Sequence, residues 1–176
     1  MSDENMNDIQ LRQYKSSDVD LICEAVTESK AELSPWMMWC HENYSRQDAV
    51  TWVEGRPGAW ERNESWSFLV VEPCGQLLGT CGIHRIDLLN GVGELGYWVR
   101  SSMIGQGIAT IATRKLCQWA FAEKGMHRIE IIMSVENIAS QRVAEKAGAV
   151  REGVLRQRIV LHGGRHDALM FAVLKD

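Results

Sequence analysis

Residues 103–110, Met103-Ile104-Gly105-Gln106-Gly107-Ile108-Ala109-Thr110, carry the pattern most open to a chemical reading. They follow an apolar strand-like run and lead straight into an amphipathic helical pattern. Gly105 and Gly107 allow the backbone to turn tightly and to approach a ligand closely. The first N–H groups of a helix lack partners within it and carry the positive end of its dipole. A pyrophosphate suits such a place. Ala109 is too small to obstruct one, and Thr110 adds a hydroxyl donor. No third glycine completes G-x-G-x-x-G, and no Gly-Lys-Ser/Thr follows, so neither a dinucleotide fingerprint nor a P-loop is present. A tight strand-to-helix turn without a ligand fits the same residues.

The elements around this loop follow from hydrophobic period and breakers. Residues 9–14 alternate as a strand, and 17–29 place Val19, Ile22, Cys23 and Val26 on one helical face with Ser17 as N-cap. Residues 31–44 crowd Leu33, Trp36, Met37, Met38 and Trp39 around Pro35. A second helix opens at Ser45 and is expected to break at Pro57-Gly58, before Trp60. Strands are expected over 66–72, 76–86 and 94–99. Pro73-Cys74-Gly75 turns between the first two, and Asn90-Gly91 marks a hairpin between the second and third. The middle strand should bend near Gly79 or Gly82. A helix over 108–124, a buried strand over 128–135, a helix over 137–147 and a closing hairpin (150–161, 167–174) around His162-Gly163-Gly164-Arg165 complete the chain. An antiparallel meander feeding a β-α-β-α unit is an α+β fold on a mixed sheet.

The whole chain, 1–176, suits one domain. A formal net charge of −4 argues against a broad nucleic-acid-binding face but leaves room for a local basic groove and for a cationic acceptor. Five cysteines, Cys23, Cys40, Cys74, Cys81 and Cys117, are odd in number and lack C-x-x-C, which fits reduced thiols in a cytoplasmic protein. The polar, acidic residues 1–8 lack the pattern of a signal peptide, and no apolar run reaches the ~20 residues of a membrane-spanning helix. His41, His84 and His162 have no metal-ligand spacing, so no metal is expected.

Three segments taken together resemble the GNAT acetyltransferase superfamily: Glu94-Leu95-Gly96-Tyr97-Trp98-Val99, the loop Gly105-Gln106-Gly107-Ile108-Ala109-Thr110, and Glu136-Asn137-Ile138-Ala139-Ser140-Gln141-Arg142-Val143 with Glu145-Lys146-Ala147-Gly148. More narrowly they are similar to its RimJ/RimL branch, which acetylates protein N-termini, ribosomal ones included. The resemblance implies a mostly antiparallel mixed sheet flanked by helices, with a splayed V between residues 96–99 and 129–135. Acetyl-CoA would lie in that V. Its pantetheine arm would pair along the edge at Trp98 and Val99, with an oxyanion donor near Val99 and a contact to Asn137. Its pyrophosphate would meet the loop from Ile104 through Thr110. Two positions depart from the pattern. Ile104 stands where relatives carry Gln or Arg, and Ala144 stands where many place an acidic Tyr. The RimL-like branch gives the thiolate-protonating role to the serine that matches Ser140.

Transfer to an amine needs a proton acceptor, an oxyanion donor and a proton for the departing thiolate. Glu94 is the expected general base, through water. An α-amine titrates near ~8 and a lysine near ~10.4, so one carboxylate suits an α-amine better. Ser140 is the expected thiolate partner. No cysteine is required, since direct attack in a ternary complex forms no acyl-enzyme. Leu33, Trp36, Met37 and Trp39 would wall the acceptor cleft or pack as a small satellite core. Arg100 and Arg114 are candidates for CoA phosphates. The expected acceptor is a protein N-terminus such as that of a ribosomal protein. A polyamine or aminoglycoside is the alternative and would call for an acidic cleft drawn from Glu28, Glu32, Glu42 and Glu54. A non-catalytic CoA-binding domain is a third reading. The chain is expected to be a monomer or homodimer.

Overall fold

The computed structural model describes residues 9–175; the stretch 1–8, on which the signal-peptide expectation rests, lies outside them. Seven strands form one sheet in the order β1-β2-β3-β4-β5-β7-β6. They are β1 Gln10–Gln13, β2 Ser65–Val71, β3 Leu77–Asp87, β4 Val92–Val99, β5 Arg128–Ser134, β6 Val150–Leu161 and β7 Gly164–Leu174. Only β4 and β5 run parallel; every other neighbouring pair is antiparallel. A parallel pair needs a crossover, and α4 (Ile108–Glu123) provides it. The other helices are α1 Val19–Glu28, the single turn α2 Lys30–Leu33, α3 Arg46–Glu61 and α5 Ile138–Ala147. Among the described residues no helix is long and apolar enough to cross a membrane.

The two faces of the sheet bury different cores. Alternate residues of β2 divide between them. Trp66, Phe68 and Val70 join Leu95, Leu116 and Ile129 under α4, while Leu69 and Val71 join Ile22, Val26 and Val53 under α1 and α3. Helix α3 runs through Pro57 without breaking, against expectation. Pro57 forfeits one intrahelical bond, but Trp60 anchors the last turn edge-on against Phe68 at 5.1 Å and beside Trp119 at 5.5 Å. Tertiary packing thus outweighs the local breaker. At the N-terminus, Ser17 is not a cap. A 3-10 turn over Ser16–Asp18 precedes α1, and the Asp18 carboxylate takes the Lys15 N–H at 2.7 Å and pairs with Arg12.

Two connections differ from the expected ones. The β6–β7 turn is His162-Gly163, both with positive φ, so β7 begins at Gly164. The β3–β4 hairpin turns through residues 88–91 rather than through Asn90-Gly91 alone, and Asp87 pairs with Val92. The register then slips between His84 and Asp87, where Arg85 takes φ +49. This bulge pairs His84 with Glu94. A second irregularity skips Leu78 beside Gly79, close to one of the two expected bends.

Candidate active site

Strands β4 and β5 pair only at residues 92–94 and 128–130, then part. Beyond Glu94, β4 keeps its ladder with β3 up to Val99, and β5 keeps its ladder with β7 up to Ser134. Two strand edges therefore face each other across a V, as the resemblance implied. The Arg100 N–H donates to the Leu78 carbonyl at 2.9 Å. N–H groups alternate in direction along an antiparallel strand, so those of Tyr97 and Val99 point away from β3 into the V.

The wide end of the V meets the start of α4. Gly105 and Gly107 adopt φ +82 and +78, a left-handed conformation that a side chain disfavours. Gly107 is the N-cap, and no side chain caps the helix. The Ile111 N–H is the first to close a helical bond, to the Gly107 carbonyl at 3.1 Å. The N–H groups of Ile108, Ala109 and Thr110 are thus unclaimed by the helix, and they fit an anion such as pyrophosphate. The Ile108 side chain is buried core, so only its backbone faces the loop. Gln106 turns back towards the Ser102 carbonyl at 3.4 Å, and Ile104 is exposed.

The loop is held from behind by α1. Arg100 bonds Glu24 and Glu28, with its side chain only 12 % exposed. The Ser101 and Ser102 N–H groups donate to Ser29 Oγ at 3.0 Å and Glu28 Oε1 at 3.1 Å. Hydrogen bonds from Arg100 and Ser102 pull the Glu28 carboxyl down to about 2. Arg100 is therefore a strut and not a phosphate ligand. Arg114 likewise donates to the Lys146 carbonyl at the end of α5.

Across the V, the Asn137 side-chain oxygen caps α5 by accepting the Ser140 N–H at 3.0 Å, which leaves its amide nitrogen outside the cap. Ser140 Oγ lies 2.8 Å and the Ser140 carbonyl oxygen 3.1 Å from the Tyr97 hydroxyl, whose single proton goes to one of them at a time. Tyr97 thus bridges from β4 to α5. Burial pushes its phenol up to about 12, against the pull of the Ser140 hydrogen bond.

Glu94 occupies the last paired rung of β4 and β5. Its side chain is 14 % exposed. Oε1 lies 3.2 Å from His84 Nε2, and Oε2 lies 2.8 Å from Arg85 and 3.6 Å from Arg158. Burial raises its pKa, but the hydrogen bond from His84 and the charges of Arg85 and Arg158 outweigh this and hold the carboxyl below its ordinary range. His84, rather than Glu94, lines the adjoining cleft.

That cleft, about 740 Å³, spreads over β2, β3 and β4 beneath α1 and α3. Its floor holds Ser67, Gly82 and Gly96, which are consecutive cross-strand partners. A Cβ at Gly96 would meet the His84 ring at 3.3 Å. Met37, Trp39 and Trp98 form part of the wall, with Trp39 and Trp98 at 6.3 Å between centroids. The expected acceptor residues therefore divide. Met37 and Trp39 reach the cleft, Leu33 is buried core, and the half-buried Trp36 does not line it. The Trp98 side chain also belongs to the cleft, because strand alternation turns it away from the face that carries Tyr97. Cys81 and Cys117 are buried, and burial pushes both thiols up.

Two residues here escape sequence reading. Tyr97 belongs to the segment Glu94–Val99, but nothing local ties it to a serine 43 positions on. His84 meets Glu94 only through the bulge. A two-residue Asn90-Gly91 turn would have set Asp87 opposite Glu94.

The Acetyltransferase (GNAT) domain family matches residues 8–150. The N-acetyltransferase YdaF of Bacillus subtilis (strain 168) is 31% identical over 172 residues, covering 95% of this chain and 91% of YdaF. The ribosomal-protein-serine acetyltransferase of Escherichia coli (strain K12) is 27% identical over 169 residues, covering 96% and 93%. The solved structure of RimL, a ribosomal L7/L12 alpha-N-protein acetyltransferase in complex with coenzyme A, superposes with a TM-score of 0.88 at 26% identity, covering 94% of this chain and 93% of that one. With its splayed strands and uncapped helix, the chain belongs to the GNAT acetyltransferase family and is an acetyl-CoA-dependent N-acetyltransferase.

Proposed function

We propose that the acceptor is the N-terminal α-amine of a protein, such as a ribosomal protein, and that the enzyme works in the cytoplasm by direct attack in a ternary complex. The observation that carries this reading is the cleft. It is roomy and aromatic-walled, and Asp48 is the only acid among the described residues that lines it. Asp48 is itself engaged by Ser45 and lies near His41. Glu28, Glu32, Glu42 and Glu54, which a polyamine site would need, do not line it. Relatives named as ribosomal-protein acetyltransferases support the same class of acceptor.

Bound acetyl-CoA supplies an acetyl thioester and a thiol leaving group. The uncapped N–H groups of Ile108, Ala109 and Thr110 would hold its pyrophosphate, and Asn137 would contact its pantetheine side. The N–H of Val99, free on the V side, would serve as the oxyanion donor, and a fixed donor lowers the barrier as charge develops. His84 receives the amine proton, directly or through water. With Nε2–H donated to Glu94, its Nδ1 carries the lone pair, and this atom lies over the floor at Gly96. Glu94 orients the ring and balances the charge that His84 gains, as the carboxylate does in a Ser-His-Asp site. With the one Tyr97 proton given to Ser140 Oγ rather than to the Ser140 carbonyl, the Ser140 hydroxyl proton is free for the departing sulfur. Ser140 is a weak acid on its own, so Tyr97 and Ser140 act as a hydrogen-bond pair.

The test is a competition among acceptors: a Ser-initiated peptide, an N-blocked lysine peptide and spermidine, each with acetyl-CoA. Thiol release and product mass are followed together. Transfer to the free α-amine alone is expected; preferred transfer to spermidine refutes the reading.

A further inference from the structure

The far end of the cleft, away from Glu94, contains a cation with no counter-ion. Arg56 projects from α3, with its guanidinium 3.7 Å over the Trp52 ring. Nε donates to the Trp52 carbonyl at 3.0 Å, and Nη1 donates to Ser65 Oγ at 3.1 Å. Nη2 has no acceptor among the described residues, and none of the ion pairs among them includes Arg56. Burial lowers its pKa, and only the diffuse influence of Tyr14 and Glu64 opposes this.

Beside it stands a second orphan. The Tyr14 hydroxyl is buried, lines the same cleft and has no hydrogen-bond partner. Trp52 and Thr80 approach it closely enough to pull its pKa down, yet neither meets hydrogen-bond geometry with the hydroxyl. Buried polar groups are nearly always satisfied, so an unsatisfied one in a cleft marks a ligand position. Burial raises the phenol to about 12, which keeps it a donor at every working pH. The donors converging here are thus the Arg56 fork and the Tyr14 hydroxyl, with the hydroxyls of Ser65, Ser67 and Thr80 around them.

Building on the α-amine reading, we infer that this end of the cleft binds a carboxylate of the acceptor, the side chain of an Asp or Glu close to its N-terminus. The planar guanidinium fork matches a carboxylate bidentately, and one guanidinium balances one negative charge. The distance also fits. Ser65, His84 and Glu94 are consecutive partners across β2, β3 and β4. Two strand spacings separate Ser65 from Glu94, roughly 10 Å. An extended peptide spans that length in about three residues. The acid therefore belongs at position 2 or 3 of the acceptor, with the α-amine at His84 and Glu94.

The experiment compares Ser-initiated peptides that carry Glu or Gln at position 2, 3 or 6, with acetyl-CoA saturating. The wild-type enzyme should favour Glu over Gln by about 10-fold in kcat/KM at position 2 or 3 and show no preference at position 6. In Arg56→Met that ratio should fall to near 1, and Arg56→Lys should keep part of it. Tyr14→Phe should lower it by a few fold through KM, with kcat little changed. Binding of acetyl-CoA and the unfolding midpoint report whether each variant is folded. The wild-type comparison needs no variant, so a misfolded Arg56→Met does not rescue the idea. Equal rates with Glu and Gln peptides overturn the inference and leave the α-amine reading standing. Equal proportional losses on both peptides in a folded Arg56→Met also overturn it. Transfer to none of the peptides, with transfer to another amine, overturns the α-amine reading and this inference with it.

Discussion

Replacing Glu94 by Gln tests the proposed His84–Glu94 pair, in which His84 takes the proton and Glu94 supports it. The side chain is nearly isosteric, so the change removes charge and leaves volume in place. The carboxylate is largely buried and contacts His84, Arg85 and Arg158 at 3.2, 2.8 and 3.6 Å. Arg85 and Arg158 are partly exposed and can turn to water, which limits the stability loss to about 1 kcal/mol. The His84 ring loses the group that fixes its orientation and balances its charge. General bases contribute about 10²–10⁴-fold, and with the ring retained kcat should fall by about 10²–10³-fold, or roughly 2.7–4 kcal/mol of barrier. The proposed pyrophosphate site at α4 is untouched, so the Kd for acetyl-CoA should stay within about twofold of wild type. The assay is thiol release at saturating acetyl-CoA and peptide, with cofactor binding measured separately on the same preparation. Because the Glu94 carboxyl is held below its ordinary range, it is ionised whenever the amine is free, and it adds no limb to the wild-type profile at neutral pH. A Glu94→Gln enzyme with kcat within about threefold of wild type would refute the reasoning, since such a loss is well short of a general-base effect. The amine would then lose its proton to solvent before it binds.

Ser140→Ala should lower kcat by about 10-fold with little change in acetyl-CoA affinity, and a large loss of binding would show that the serine holds the cofactor instead. Ile104→Arg should tighten acetyl-CoA binding several-fold at low salt and lose that gain at high salt, as titrations at two ionic strengths would reveal. The Glu28 pKa is depressed in the fold, so its link to Arg100 stabilises fully above the ordinary carboxylate range and is lost as pH falls towards about 2. Arg100→Met should therefore be less stable than wild type at neutral pH and show a shallower acid transition, measured by unfolding across pH. Pro57→Ala restores an intrahelical N–H in α3 and should stabilise the protein by about 1–2 kcal/mol, offset in part by a freer unfolded chain; a lower Tm would contradict this account of the helix.

Local pattern was enough to read most of the framework. The G-x-G loop, the amphipathic α4 and the apolar β5 are each specified by residues close in sequence, and the structure has them where periodicity predicts. Local pattern and structure part where distant contacts decide. Trp60 packs into an aromatic cluster from three elements, and that packing carries α3 through Pro57. The same limit governs the candidate site. Backbone groups at the phosphate loop are legible because they belong to one turn. The His84–Glu94 pair depends on a bulge with Arg85 at positive φ, and such a slip leaves no period to read. The side chain of Trp98 lines the cleft for a related reason: the motif locates the strand, and only the pleat decides which side each side chain serves. Arg56 and Tyr14 are remote in sequence and converge only in the cleft.

The parting of β4 and β5 also bears on how long the protein survives. The sheet is continuous there through only three rungs, so β1–β4 and β5–β7 are two panels with raw edges inside the molecule. Raw edges invite strand exchange and aggregation wherever they are uncovered. An occupant that pairs with them joins the panels, and its affinity adds to the resistance of the whole chain to unfolding. At a hundredfold excess over Kd this amounts to about 2.7 kcal/mol, a large part of a typical domain's margin. Turnover of the enzyme by proteases should therefore follow the supply of its acetyl donor. A cell poor in acetyl-CoA would lose the catalyst along with the reagent, so abundance itself would register metabolic state.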